Sequence, residues 1–317
     1  MALTKVYDSA TVLKHLGGIL NIYKPAGMKV KHVRNAILSN ICKGLNEMKQ
    51  REPRKLPENK PLLGTGTAAD PVLHNIAGHT DLSDHVLSAG PRYLPRDLSC
   101  ATVTSLGDHT SGVLLFGINR GTGQATSIRK NRPVRVYHIT GCLGSATETH
   151  LPDSRVTIRS NHRHVSADRI SGLAASMQAS HQRKMFELCG VDLQTQEAYE
   201  LACRGLLRPA DDSLPVVYGL KLIHFDRPNF TMEVHAINET QEYLVALVHD
   251  MALELRTVAH CSHLRCVRHG HFDVKDSLLR HSWHLPGIIK NLRHQRDILR
   301  AHPQLLRQQQ VELQATS

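Results

Sequence analysis

No apolar run reaches eighteen residues, so no membrane-spanning helix is indicated. No apolar stretch follows the first lysine, so a secretory signal is not visible. The seven cysteines are odd in number and widely scattered, which argues against a disulfide framework and for a reducing compartment. A Gly-x-Ser-x-Gly elbow and a Walker loop are both missing, which removes the support for a serine hydrolase or a nucleotide triphosphatase. Acidic residues are outnumbered: 39 Lys and Arg face 28 Asp and Glu, a formal charge of +11. That balance favours a polyanionic partner, nucleic acid above all, with a merely basic soluble protein as the bland alternative.

What is present over 317 residues suffices for one large or two ordinary domains. The 22 histidines can add positive charge below about pH 6.5. Gly18 to Tyr23 alternates into Lys24-Pro25-Ala26-Gly27 and reads as a strand ended by a turn. Lys24 on that turn is either a solvated charge or a phosphate contact at a site mouth. Residues 28–45 carry Val30, Val33, Ile37 and Ile41 at helical spacing. From about 47 to 97, basic residues interleave with prolines and then give way to a polar run without period, which reads as a basic, partly disordered insertion.

The chain then narrows onto Leu106-Gly107-Asp108-His109-Thr110-Ser111-Gly112-Val113-Leu114-Leu115-Phe116. Here a polar turn feeds an apolar, β-favouring run. Asp108 is the only carboxylate between Asp97 and Glu148. It reads as a nucleophile candidate or as an ordinary turn aspartate. Further strands are expected at Pro133–Gly144, Val216–Phe225, Phe230–Ile237 and Cys261–Phe272. Ser145 to Thr149 reads as a loop. Helices are expected after Ser166, within 192–205, and from Thr240 to Leu255, with a basic terminal helical stretch that frays. Ser180-His181-Gln182 reads as following a helix, either capping its end or binding a base. Strands from both ends of the sequence interrupted by helices point to an α+β domain on a mixed or antiparallel sheet.

His260-Cys261, His263, Cys266, His269 and His271 suit zinc in kind. On a strictly alternating strand, however, Cys261, His263, Arg265, Val267 and His269 share one side and His260, Cys266 and Arg268 the other. The cluster therefore reads as basic strand surface, and no metal site is expected.

Six motifs in order resemble the TruB-type pseudouridine synthases. These are Gly18 through Lys24-Pro25-x-Gly27; Leu106 with Gly112-Val113-Leu114; Arg135-x-Tyr137 with Leu143-Gly144; Ser180-His181-Gln182; Thr195-Gln196-Glu197-Ala198-Tyr199-Glu200; and the helix from Thr240 with Leu264-Arg265-x-x-Arg268-x-Gly270. The wording is nearest to the animal mitochondrial branch of the family. The resemblance implies a pseudouridine synthase fold, with a mixed, largely antiparallel central sheet flanked by helices. It would cover 17–290, with an N-terminal arm or presequence at 1–16 and a basic tail at 291–317 too short for a PUA domain. It implies an RNA stem-loop partner whose uridine flips into a pocket, uridine-to-pseudouridine isomerisation, and no cofactor. It also implies a mitochondrial (matrix) location, with nucleus or cytoplasm as alternatives, and mitochondrial RNA-processing partners. Tyr137 would stack on the flipped base. Lys24, Arg135, Tyr243, His181 and Gln182 would line the substrate site.

The departures fall at the chemistry. Gly107 stands where the family pattern has its nucleophilic Asp, and Asp108 comes one residue late. Val245 stands where the pattern has the Arg partner of that Asp, in Tyr243-x-Val245, and Arg135 replaces a lysine. Two readings follow. One is a synthase, degenerate or forced onto Asp108. The other is a non-catalytic RNA-binding or scaffold protein of mitochondrial RNA or ribosome assembly.

Overall fold

The structure is a computed structural model, described here for residues 8–48, 90–188, 190–192, 194–204 and 214–306. Among the described residues the strands are β1 (Gly18–Lys24), β2 (Cys100–Thr102), β3 (Thr110–Ile118), β4 (Arg135–Leu143), β5 (Ser145–Thr147), β6 (Val156–Arg159), β7 (Val216–Asp226), β8 (Asn229–Ile237), β9 (Ala259–His269) and β10 (Phe272–Asp273). The helices are α1 (Ser9–His15), α2 (Val30–Glu47), α3 (Gly121–Asn131), α4 (Ala167–Leu188), α5 (Gln196–Arg204), α6 (Gln241–Glu254) and α7 (Leu285–Ala301).

One sheet runs β1-β3-β9-β4-β8-β7, with β2 beside β3 and β10 beside β9. Every pairing along it is antiparallel except β3 with β9. This is the mixed, largely antiparallel sheet expected from the sequence. The parallel seam brings the two ends of the chain's strand set together, with Thr110 opposite Leu264 and Gly112 opposite Cys266. Gly112 is required there: its φ is +113°, and a Cβ would overlap the Cys266 backbone.

Helices cover the sheet where its strands are apolar. α6 packs on β9 and β4, α4 on β7, α7 on β1, and α3 on β3. Leu244, Leu247, Val248, Met251 and Ala252 are buried along α6, at the spacing read from sequence. Among the described residues no helix covers the other face of the four-strand region β9-β4-β8-β7, where His263, Arg265 and Arg268 are exposed on β9 and Lys221 and His224 on β7.

Several boundaries differ from expectation. The strand read at Cys261–Phe272 stops at Gly270, whose φ of +59° turns the chain into β10. Ser145–Thr147 pairs with Val156–Arg159 rather than forming a loop. Ser180-His181-Gln182 lies inside the 22-residue helix α4, because nothing between Ala167 and Leu188 stops the helix; it caps no end. Within the basic C-terminal stretch expected to fray, α7 runs from Leu285 to Ala301 with Leu292, Gln295 and Leu299 buried. Residues 90–97 belong to the packed body, with Tyr93 buried and its hydroxyl 3.1 Å from Ser9 Oγ on α1. The basic segment Lys49 to Lys60 lies outside the described residues.

Strand β9 also breaks strict alternation. Opposite β4 the register skips Ser262 and Val267, so two bulges re-phase the strand. Cys261, Leu264, Cys266 and His269 therefore all face inward, while His263, Arg265 and Arg268 face out. Burial pushes the Cys261 and Cys266 thiols up to about 12. His260 binds Ser145 through Nδ1, 3.0 Å from its carbonyl. Among the described residues no group of three His, Cys, Asp or Glu is placed to hold a metal ion.

Candidate active site

The loop 107–110 enters β3 under three clamps. The first is Lys24. It is neither solvated nor free for a phosphate: it is fully buried, and its Nζ donates to the carbonyls of Thr110 (2.8 Å), Asp108 (2.9 Å) and Pro25 (3.2 Å). Burial draws its pKa down to about 8, with the Asp108 charge opposing. Three carbonyls around one ammonium make it a strut between the β1 turn and the loop. The second clamp is the Gly27 N–H, which also donates to the Asp108 carbonyl, at 2.9 Å. With two donors on its carbonyl, the Asp108 backbone is fixed, and its side chain is left exposed.

The third clamp is Gln241, the first residue of α6. Its Oε1 accepts from the N–H of His109 (2.9 Å), the N–H of Thr110 (3.1 Å) and the Thr110 hydroxyl (3.1 Å). The local sequence explains its placement. Asn238, at φ +55°, bends the chain out of β8, and Thr240 then caps α6 by accepting from the Tyr243 N–H at 3.2 Å. That turn buries Glu239 and aims Gln241 at the loop. A Cβ on Gly107 would overlap Gln241 Oε1 and lie 2.5 Å from its Cδ and 2.6 Å from its Cβ. The space that a nucleophilic side chain at 107 would occupy is taken by a glutamine.

Behind the loop, Arg135, Tyr137, Glu239, Cys266 and His269 form a buried polar group. Arg135 Nε lies 2.5 Å from Glu239 Oε1, and its Nη2 donates to the Glu239 carbonyl at 3.3 Å. Burial lifts the Glu239 carboxyl above its usual range, with Arg135 opposing. The Tyr137 ring is 2% exposed, with the Arg135 guanidinium 6.0 Å from its centroid. Burial raises its phenol pKa well above the ordinary value, against Arg135. This ring is core, not the wall of an open cleft. The His269 pKa is pushed down to about 3 by burial and by the Arg135 charge, and neither ring nitrogen finds a hydrogen-bond partner among the described residues.

The remaining expected residues do not converge on the loop. Tyr243 packs against the core with its hydroxyl buried and unpartnered among the described residues, and burial followed by the Asp250 charge pushes its pKa up to about 12. Val245 is 2% exposed within the apolar core, so no cation stands at that position. His181 and Gln182 lie on α4, which packs on β7; burial and then Lys184 lower the His181 pKa, and Gln182 is exposed. A cavity of about 290 Å³ at the β9–β10 turn is lined by Asn131, Val134, Arg268, His271 and Gln304, and no loop residue borders it. Sequence reasoning singled out Lys24, Arg135 and Tyr137 but missed Gln241 and Glu239. Their only signal is adjacency to the Thr240 helix start, and each acts on a partner more than 100 residues away.

Comparison with known proteins places this geometry. Residues 103–241, from the loop to Gln241, match the TruB family pseudouridylate synthase N-terminal domain. The mitochondrial pseudouridylate synthase TRUB2 of Xenopus tropicalis is 34% identical over 277 residues, covering 87% of this chain and 85% of that one. The human protein of the same name is 34% identical over 278 residues, with 87% and 83% covered. Among solved structures, the archaeal box H/ACA sRNP Nop10-Cbf5 complex overlaps 94% of this chain and 60% of the other, at a TM-score of 0.46 and 14% identity. The chain belongs to the TruB family of pseudouridylate synthases.

Proposed function

We propose that this protein binds structured RNA as other TruB-type proteins are built to do, and that its pseudouridine-forming activity is weak or absent. The carrying observation is the exchange at the loop. Gly107 offers no side chain, Gln241 fills the space beside it, and Asp108 is held by its backbone with an exposed carboxylate. The cation expected to pair with a nucleophile is replaced by buried Val245. Losing the acid and its partner together leaves no uncompensated buried charge, so the fold survives the loss. RNA binding is supported by the net charge of +11 and by the open sheet face bearing His263, Arg265, Arg268 and Lys221. The mitochondrion is the proposed compartment, in keeping with the names of the relatives. There the protein would act on mRNA or another structured RNA, or as a scaffold in RNA processing or ribosome assembly.

The test is pseudouridine formation on mitochondrial RNA transcripts, alongside binding of the same transcripts at several salt concentrations. Salt-dependent binding with negligible turnover, unchanged by Asp108→Ala, supports the proposal. Robust turnover that Asp108→Ala abolishes overturns its catalytic half. Binding that is absent at low salt overturns the rest.

A further inference from the structure

We infer that Gly107 and Gln241 are an interlocked pair, and that Gln241 is the positioning residue that holds the loop at His109 and Thr110, directly after Asp108. Two independent geometries meet at this glutamine. The first is attractive. One amide oxygen collects three donors from two successive loop residues, and the His109 N–H has no other partner among the described residues. The second is steric. Any side chain at 107 meets not only the mobile end of Gln241 but also its Cβ, at 2.6 Å. A rotamer change clears the amide but leaves the Cβ, which is fixed by the first turn of α6. That turn is itself held by the Thr240 cap and by buried Leu244 and Val245. The clash is therefore with the helix, not with a flexible tip.

Two consequences follow for the loop. With Gln241 in place, residue 107 must be glycine, so restoring an acid there by one substitution forces the loop or the helix to move. The backbone of Asp108 is held in place on both sides, its carbonyl by Lys24 and Gly27 and the next two residues by Gln241, so its exposed carboxylate is not carried into the position of residue 107 by a slip of the loop. This deepens the reading of a disabled site, on which its functional meaning rests. The interlock itself is a statement about geometry and is tested without activity.

The experiment combines amide hydrogen exchange at His109 with a thermal double-mutant cycle, in the full chain. Gln241→Met keeps the length of the side chain and removes the acceptor; Gln241→Glu keeps an acceptor oxygen. His109 protection should fall about tenfold in Gln241→Met, as expected for one lost hydrogen bond of ordinary strength, and be retained in Gln241→Glu. Gly107→Ala should lower the melting temperature by several degrees. Adding Gln241→Gly, which removes the Cβ, should make the Gly107→Ala shift much smaller, whereas adding Gln241→Ala, which keeps it, should not. Unchanged His109 exchange in Gln241→Met, or a Gly107→Ala shift that is the same with and without Gln241→Gly, overturns the interlock. Turnover through Asp108 in the unmodified protein would overturn the proposed function while leaving these readouts as they are, so the two failures are distinct.

Discussion

The two faces of the β9-β4-β8 region carry much the same residue types and put them to opposite uses. Inward lie Arg135, Glu239, Tyr137 and His269, all buried and engaged with one another or sealed. Outward lie Arg265, Arg268, His263 and the His138–Glu233–His235 group, in which Glu233 Oε1 is 2.7 Å from His235 Nε2 and Oε2 is 3.5 Å from His138 Nε2. The inner group looks like an active site by composition but is packed as core; the outer one looks ordinary and reaches solvent. Burial, rather than residue type, separates a structural charge from a functional one.

The largest effect should come from splitting the inner pair. Glu239→Ala strands the Arg135 guanidinium in the core, and destabilisation of about 3–5 kcal/mol is expected in urea unfolding. Replacing both partners with apolar residues of similar size should recover most of it. If Glu239→Ala is instead as mild as a surface change, the inner group is not a closed unit and the contrast fails.

Next is Lys24→Met. It removes the donor shared by three buried or half-buried carbonyls, and a loss of about 2–4 kcal/mol is expected by thermal unfolding. A surface lysine that contacts only RNA phosphate would leave stability within about 0.5 kcal/mol, so this measurement separates the strut from the sequence reading.

Acid sharpens the comparison further. His269 stays neutral in the fold, with its pKa near 3 against an ordinary 6.5. Between those values the unfolded chain binds a proton that the folded chain refuses, so stability falls as pH drops through this window. His269→Phe should flatten the dependence of melting temperature on pH between about 6.5 and 4. The outward Glu233 loses stability in the same direction for a different cause: its hydrogen bond from His235, rather than burial, holds its carboxyl below the usual range. Its contribution is present above the ordinary carboxylate pKa and is lost as pH falls through the lowered one.

What was legible in the sequence follows from this division. The α6 stripe, β4 and the β7–β8 hairpin were readable because periodicity reports burial locally. The β9 bulges were not, since each depends on register against β4, and they undo the alternation argument used for Cys261 and Cys266. Lys24 was misread because nothing near it in sequence tells of Asp108 and Thr110 carbonyls 84 and 86 residues away. Gly107 was recognised as a departure, but the reason it must be glycine lies in Gln241, on an element from the far half of the chain.

The smallest effect on stability should accompany the clearest effect on RNA. Arg268→Ala and Lys221→Ala remove exposed cations from the open face without touching the core. Melting temperatures should barely move, since surface changes of this kind stay within about 0.5 kcal/mol. Each cation that meets a phosphate contributes about 0.7–0.9 to the slope of log affinity against log salt, so the slope should shrink by about that amount per substitution. Affinity should fall similarly for all sequences tested, because a phosphate contact carries no base information. If both variants keep the full salt slope, the RNA lies elsewhere on this basic protein, and the outward face is only a solvated surface. If the slope shrinks while the Glu239→Ala effect remains confined to stability, the two faces divide the work between binding and folding.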